Sequence, residues 1–212
     1  MQIYRHFPAI FPHPACALTI GNYDGIHLGH QKIINELLIK SEKMKIESAI
    51  MIFEPHPKEF FTAKEAPSRL TSLREKIEFF KSKEIDRVYV IKFNKSFANM
   101  SGSNFILKLK NQLSTKTILV GEDFRYGINR DSGIKDLVTS GIETLIVEEV
   151  AIGDKRVSST QIREALSSGE LGLAKKLLGR YYCISGKVVY GDQRGRKIGF
   201  PTANIHMFHN RP

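Results

Sequence analysis

A parallel α/β sheet follows from three features of this sequence. Short apolar runs alternate with segments of helical periodicity, a glycine-rich elbow joins the first run to the first helix, and 42% hydrophobic content in 212 residues can bury one good core. Residues 15–20 (Ala-Cys-Ala-Leu-Thr-Ile) are short and apolar, as a strand buried on both faces requires. Ile33, Ile34, Leu37 and Leu38 then fall at helical spacing. Residues 48–53 read as a second buried strand, and 71–81 as a helix opened by a Thr or Ser cap. The alternation continues with a strand at 87–93, a helix at 103–113, a strand at 117–121, a helix at 132–139 and a strand at 144–148. Such a sheet uses right-handed crossovers and binds ligands beyond the carboxyl ends of its strands. A further helix opens at Ser158 or Ser159 and ends at Gly169, residues 175–180 read as a linker helix, and residues 183–190 are strand-like.

Composition narrows the function. The formal charge of +10 implies attraction to polyanions, either nucleotides and pyrophosphate or nucleic acid. The lysine-rich segments at 40–45 and 108–116 lack interleaved aromatics and read as solvated helix faces, which disfavours nucleic acid. Cys16 and Cys183 both lie in apolar, strand-like segments and are expected to be buried, inert thiols. The absence of a disulfide pattern, of an apolar signal core and of any membrane-length apolar run suits a cytoplasmic, non-membrane protein.

The chemistry concentrates where strands end. After the first comes Gly21-Asn22-Tyr23-Asp24-Gly25-Ile26-His27-Leu28-Gly29-His30-Gln31, a strand-to-helix junction. The first turn of a helix offers free N–H groups and the positive end of the macrodipole, so a phosphate is at home there and His27 and His30 face it. Gly29 permits close backbone approach, while Gly21 and Gly25 let the loop turn sharply. The competing readings of His-x-x-His are half a zinc site or two surface histidines at a helix start. Glu54-Pro55-His56-Pro57 follows the second strand and makes a rigid loop that aims His56, or simply a stiff connector. Gly121-Glu122-Asp123-Phe124-Arg125-Tyr126-Gly127 sets aromatics beside donors, as a planar ring ligand requires, or is an ordinary turn with core aromatics. In Arg156-Val157-Ser158-Ser159-Thr160-Gln161-Ile162-Arg163 a capped helix explains the serines but not the two flanking arginines, which would complete a second anion cradle.

With Arg-Leu-Thr-Ser-Leu-Arg-Glu-Lys at 69–76, these motifs resemble the bacterial bifunctional riboflavin kinase/FMN adenylyltransferase family, or FAD synthetase, of the HxGH nucleotidylyltransferase superfamily. The resemblance implies a Rossmann-like nucleotidylyltransferase fold and transfer of AMP from ATP to FMN, giving FAD and pyrophosphate, with Mg2+. It implies catalytic roles for His27, His30 and Arg163, and ATP contacts from Gly21, Asn22, Tyr23, Asp24, Gly29, Arg156, Ser159 and Thr160. His56, Pro57, Phe61, Asp123 and Arg125 would line the flavin side; many relatives carry Asn where Asp123 stands. The rival readings are an adenylyltransferase for another phosphorylated acceptor and a non-catalytic nucleic-acid-binding protein on the same sheet.

Residues 191–204, Gly-Asp-Gln-Arg-Gly-Arg-Lys-Ile-Gly-Phe-Pro-Thr-Ala-Asn, resemble the opening of the flavokinase module, a small antiparallel β-barrel. That resemblance implies Thr202 and Asn204 as ligands of ATP-bound magnesium. About thirty residues cannot close a barrel. The expectation is therefore an adenylyltransferase domain at 1–180, an incomplete barrel segment at 181–212, and no riboflavin phosphorylation by this chain.

Overall fold

The structure, a computed structural model, describes residues 1–8, 13–192, 194–207 and 212, so Gln193 of the tail motif lies outside the described residues. In chain order the elements are β1 (Gln2–Tyr4), β2 (Cys16–Ile20), α1 (Leu28–Met44), β3 (Glu47–Glu54), α2 (Pro57–Phe61), α3 (Leu73–Ser82), β4 (Arg87–Lys92), α4 (Lys95–Ala98), α5 (Gly102–Asn111) and β5 (Thr115–Gly121). They continue with β6 (Arg125–Tyr126), β7 (Ser132–Gly133), α6 (Ile134–Thr139), β8 (Glu143–Val147), β9 (Ala151–Ile152), β10 (Lys155–Arg156), α7 (Ser159–Ser167), α8 (Leu171–Leu178), β11 (Lys187–Val189), α9 (Arg194–Lys197) and β12 (Asn204–His206).

Six strands form one parallel sheet in the order β1-β4-β3-β2-β5-β8. The order reverses at β2, whose neighbours are β3 on one side and β5 on the other. A crevice therefore opens beyond the carboxyl ends of β2 and β5, and the glycine-rich elbow lies there.

Successive residues of a strand point to opposite faces, so a continuous apolar run serves two layers at once. Cys16, Leu18 and Ile20 pack with Met51, Tyr89, Phe105 and Leu109 under α5. Ala17 packs with Ile50, Ile34, Leu37 and Phe80 under α1 and α3. A third cluster of Leu70, Val157, Ile162, Leu177 and Leu178 joins α7 and α8 to the loop before α3. The cap of α3 is Ser72, which accepts from Glu75 N–H while the Glu75 carboxylate accepts from Ser72 N–H.

The structure adds one strand and changes four expectations. The strand β1 carries little apolar signal of its own and exists through parallel pairing with β4. The helix expected at 132–139 starts at Ile134, because Ser132–Gly133 pair with Arg125–Tyr126 as a short ribbon. The segment read as a linker helix, 175–180, is the end of α8, and Leu177 and Leu178 are buried in the third cluster. Cys16 is buried as expected, with its thiol pushed up to about 11 chiefly by burial, but Cys183 is exposed. Only Lys187–Val189 of the strand-like segment is paired, as a two-stranded antiparallel ribbon with Asn204–His206, and no second layer covers it among the described residues.

Candidate active site

The elbow between β2 and α1 is strained and heavily tied. Tyr23, Gly25 and Ile26 have φ of 50°, 83° and 45°. That conformation is costly for tyrosine and more so for a β-branched isoleucine, and persists only where the surroundings over-determine it. Here they do. The Asp24 carboxylate accepts from Leu70 N–H (3.0 Å), Thr71 N–H (3.0 Å) and the Thr71 hydroxyl (3.2 Å), and it pairs with the Arg163 guanidinium. Gly25 N–H donates to Thr71 Oγ1 (3.0 Å), and Arg180 donates to the Gly25 carbonyl (2.8 Å). Gln31 Nε2 donates to both the Ile26 and Leu178 carbonyls at 2.8 Å.

His27 caps α1, its Nδ1 accepting from His30 N–H at 3.4 Å. The two imidazoles stack with centroids 3.7 Å apart and planes 19° apart. A Cβ on Gly29 would sit 3.3 Å from the His27 ring, so glycine there preserves the stack. Burial holds His27 down to about 4, helped by Arg156 and opposed by Asp24. His30 is held well below its usual value, first by burial and then by His27, Lys76 and Arg156. Both rings are neutral at pH 7. Because Nδ1 of His27 accepts, its proton sits on Nε2, which is left to donate to a ligand. His30 Nδ1 is buried without a hydrogen-bond partner, as are Asn22 Oδ1 and Gln161 Oε1 on the two cradle segments. Orphaned polar atoms of this kind suit a polar ligand.

Ser158 caps α7, accepting from Gln161 N–H (3.3 Å), while the Ser159 hydroxyl donates to the Asp24 carbonyl (2.9 Å). Thr160 is exposed in the same turn. The structure thus brings the two cradle helices together at Asp24. Arg163 is engaged with Asp24 and with the Ser68 carbonyl (2.7 Å), whereas Arg156 is half exposed and pairs with Glu149 (2.6 Å) and Asp123 (3.3 Å).

On the other side of the crevice, the Glu54–Pro55 bond is cis, and His56 caps α2 with Nδ1 accepting from Lys58 N–H. His56 is pushed down to about 4, chiefly by burial and next by Lys76. The buried Arg69 guanidinium holds Glu54 and Glu59 and so fixes the loop that carries His56. Pro57 opens α2. Phe60, Phe61 and Phe93 meet edge to face at 5.2–5.6 Å, and Phe61 remains 64% exposed, an open aromatic face. Asp123 and Arg125 are exposed, with Phe124 stacked on Tyr126. Thr202 and Asn204 are exposed on the tail.

Sequence reasoning did not single out Gln31, Arg69, Thr71, Lys76 or Arg180 individually. The legible signal was Lys76, which falls on the apolar face of its helix between Leu73 and Phe80. Among the described residues there is no group of three or more His, Cys, Asp or Glu arranged to hold a metal ion. The carboxylates nearest the elbow are occupied, Asp24 by the loop and Arg163, and Glu54 and Glu59 by Arg69.

The FAD synthetase family model matches residues 11–161, and the riboflavin kinase model matches residues 178–212. The bifunctional riboflavin kinase/FMN adenylyltransferase of Haemophilus influenzae is 42% identical over 197 residues, covering 91% of this chain and 64% of the relative. This chain spans just under two thirds of the length of such curated relatives. A crystal structure described as a macrolide-efflux protein from Streptococcus pneumoniae matches with TM-score 0.81 and 28% identity, covering 97% of this chain and 68% of that one. A pantoate-beta-alanine ligase from Francisella tularensis shares the fold alone, with TM-score 0.52, 16% identity, and coverage of 84% of this chain and 78% of that one. A parallel sheet with an HxGH elbow at its switch point, matched to one family model over most of its length, places this chain in the FAD synthetase family.

Proposed function

We propose that this chain transfers AMP from ATP to FMN, releasing pyrophosphate and forming FAD. The observation that carries this reading is the stacked, neutral His27–His30 pair at the start of α1, beside an open aromatic face and within the FAD synthetase match. An oxygen of the FMN phosphate attacks the α-phosphorus of ATP, a P–O bond forms, and the bond to pyrophosphate breaks with its electrons leaving on pyrophosphate. The nucleophile is already ionised at neutral pH, so positioning and charge stabilisation suffice without a general base. Neutral imidazoles act as N–H donors to the phosphate oxygens where charge builds.

His27, His30 and Asn22 face ATP on the elbow, with Ser159, Thr160 and Arg156 on the second cradle. Arg163, expected to be catalytic, and Asp24, expected to contact ATP, are assigned instead to the clamp that holds the two cradles together, and Gly21, Tyr23 and Gly29, also expected at ATP, to shaping the turn. His56, Pro57, Phe61, Asp123 and Arg125 form the flavin side. Magnesium enters as part of the ATP substrate, carried on its phosphates, a mode in which that ion needs few protein ligands. Residues 1–180 form the transferase unit and act in the cytoplasm; no helix among the described residues is long and apolar enough to cross a membrane.

We assign no riboflavin phosphorylation to this chain, since Thr202 and Asn204 lie exposed on and beside a two-stranded ribbon. The test supplies ATP and magnesium with either FMN or riboflavin. FAD and pyrophosphate are expected from FMN and no FMN from riboflavin; FMN formed from riboflavin overturns the second assignment. His30→Ala is expected to lower turnover on the order of 100-fold while FMN affinity changes little. A selective loss of FMN affinity would overturn that role, and a wild-type chain that neither binds FMN nor makes FAD overturns the whole reading.

A further inference from the structure

Lys76 is a buried lysine with no anion of its own. It is 4% exposed, and its ammonium makes no hydrogen bond or ion pair among the described residues. Its acidic neighbours are Asp24, Glu54 and Glu59. Each is already committed, Asp24 to Leu70, Thr71 and Arg163, and the two glutamates to Arg69. An uncompensated buried charge is expensive, and is retained where something of opposite sign arrives.

Lys76 shares with Phe80 the buried face of α3, the face that packs against the elbow. One turn on from Lys76 along α3, Phe80 meets Tyr23 edge to face at 5.7 Å, and Tyr23 lies 5.0 Å from the His30 ring. The start of α3 is bonded to the elbow through Thr71 and Asp24. After burial, Lys76 is among the charges that hold both His30 and His56 below their usual value. The buried Nδ1 of His30 is also without a partner.

We propose that Lys76 binds the phosphate of the acceptor nucleotide, holding the FMN phosphate between His56 and His30 and against the α-phosphorus of ATP. This rests on the adenylyltransferase reading above. Two anionic phosphates must approach each other for the reaction, and a desolvated ammonium between them offsets their repulsion while steering one oxygen in line. No proton moves in the step; burial lowers the pKa of the Lys76 ammonium, and an arriving phosphate dianion favours its charged form.

The test compares FMN with riboflavin, which lacks the phosphate, by flavin fluorescence quenching on wild type, Lys76→Met and Lys76→Arg. Lys76→Met is expected to weaken FMN binding on the order of 10- to 100-fold, the worth of a lost charge-assisted hydrogen bond, and to leave riboflavin binding unchanged. Lys76→Arg is expected to recover part of the loss. Melting curves report folding, and Lys76→Met is expected to melt no lower than wild type. Equal loss of both flavins, or a raised KM for ATP with FMN binding intact, overturns the proposal. A wild type that makes FAD beside an unaltered Lys76→Met overturns this inference alone; a wild type that binds no FMN overturns it together with the adenylyltransferase reading.

Discussion

Residues 21–31 and residues 191–204 use the same vocabulary of glycines, one aspartate, an asparagine and polar groups suited to phosphate. In the first segment, Tyr23, Asp24, Gly25, Ile26 and His27 are all buried, and the chain is pinned from the loop before α3, from α7 and from the end of α8. In the second, Ile198 and Phe200 are 73% and 75% exposed, and Tyr190 just before it is 92% exposed, around a single ribbon. The difference teaches that a phosphate-binding motif becomes a site through the groups that over-determine its backbone. The elbow holds positive φ at Tyr23 and Ile26 because three separate parts of the chain supply the opposing hydrogen bonds.

The sharpest way to break the comparison is Asp24→Ala. It leaves Leu70 N–H and Thr71 N–H without their acceptor and strands the Arg163 guanidinium. Removing one partner of such a buried pair costs roughly 3–5 kcal/mol, which for a chain of this size lowers the melting temperature on the order of 10 °C. Calorimetry checks it, with loss of FAD formation expected alongside. An unchanged melting temperature would mean that the elbow holds itself and that the clamp is incidental.

The second test uses protons. His27 and His56 stay neutral in the fold down to about 4, whereas an unfolded histidine takes up its proton near 6.5. Between those values the unfolded chain binds more protons, so stability is at its plateau above pH 6.5 and falls as pH drops towards 4. The slope is at most about 1.4 kcal/mol per pH unit for each histidine. His30 pulls the same way, and Glu59, held below its usual range by hydrogen bonds from Arg69, adds its loss only lower down. Arg156 and Asp24 face His27, and Lys76, Asp24, Glu59 and Arg69 face His56. Urea denaturation at pH 7 and pH 5 measures the fall, and a double variant His27→Gln with His56→Gln is expected to flatten it. Equal slopes in the two proteins would show that the imidazoles do not bear the pH dependence.

The strands and their order of use were legible because local apolar runs carry them; Cys16, Leu18 and Ile20 alternate with Ala17 and Thr19 into two layers, and the pattern needs no tertiary partner to be read. The histidines were legible from spacing alone. What was not legible depends on distant pairing. Arg163 lies 139 residues from Asp24, and nothing local says that it ties a loop as well as flanking a cradle. Lys76 reads from its neighbours as one more solvent-facing lysine in a charged run, until its helical phase beside Leu73 and Phe80 is compared with its burial. Cys183 went the other way, since an apolar neighbourhood in sequence buries a thiol only where a second layer exists to cover it.

The smallest effect belongs to the tail. If the ribbon contributes nothing to the elbow, then Phe200→Ser, at a side chain 75% exposed, is expected to leave stability within about 0.5 kcal/mol and FAD formation from FMN unaltered. One contact argues that the boundary of this independence lies before β11. Ser185 donates from its N–H (3.0 Å) and its hydroxyl (2.7 Å) to Glu75 Oε1, on the helix that carries Lys76. Those hydrogen bonds are exposed and therefore weak, yet they join the tail to α3 rather than to the sheet. Removing residues 187–212 is accordingly expected to leave the melting temperature and turnover near wild type, whereas removal from residue 177 onward takes away Leu177, Leu178 and Arg180, which cover the third cluster and hold the Gly25 carbonyl. Equal damage from both truncations would place the ribbon within the transferase unit, and the contrast between a supported motif and an unsupported one would then fail.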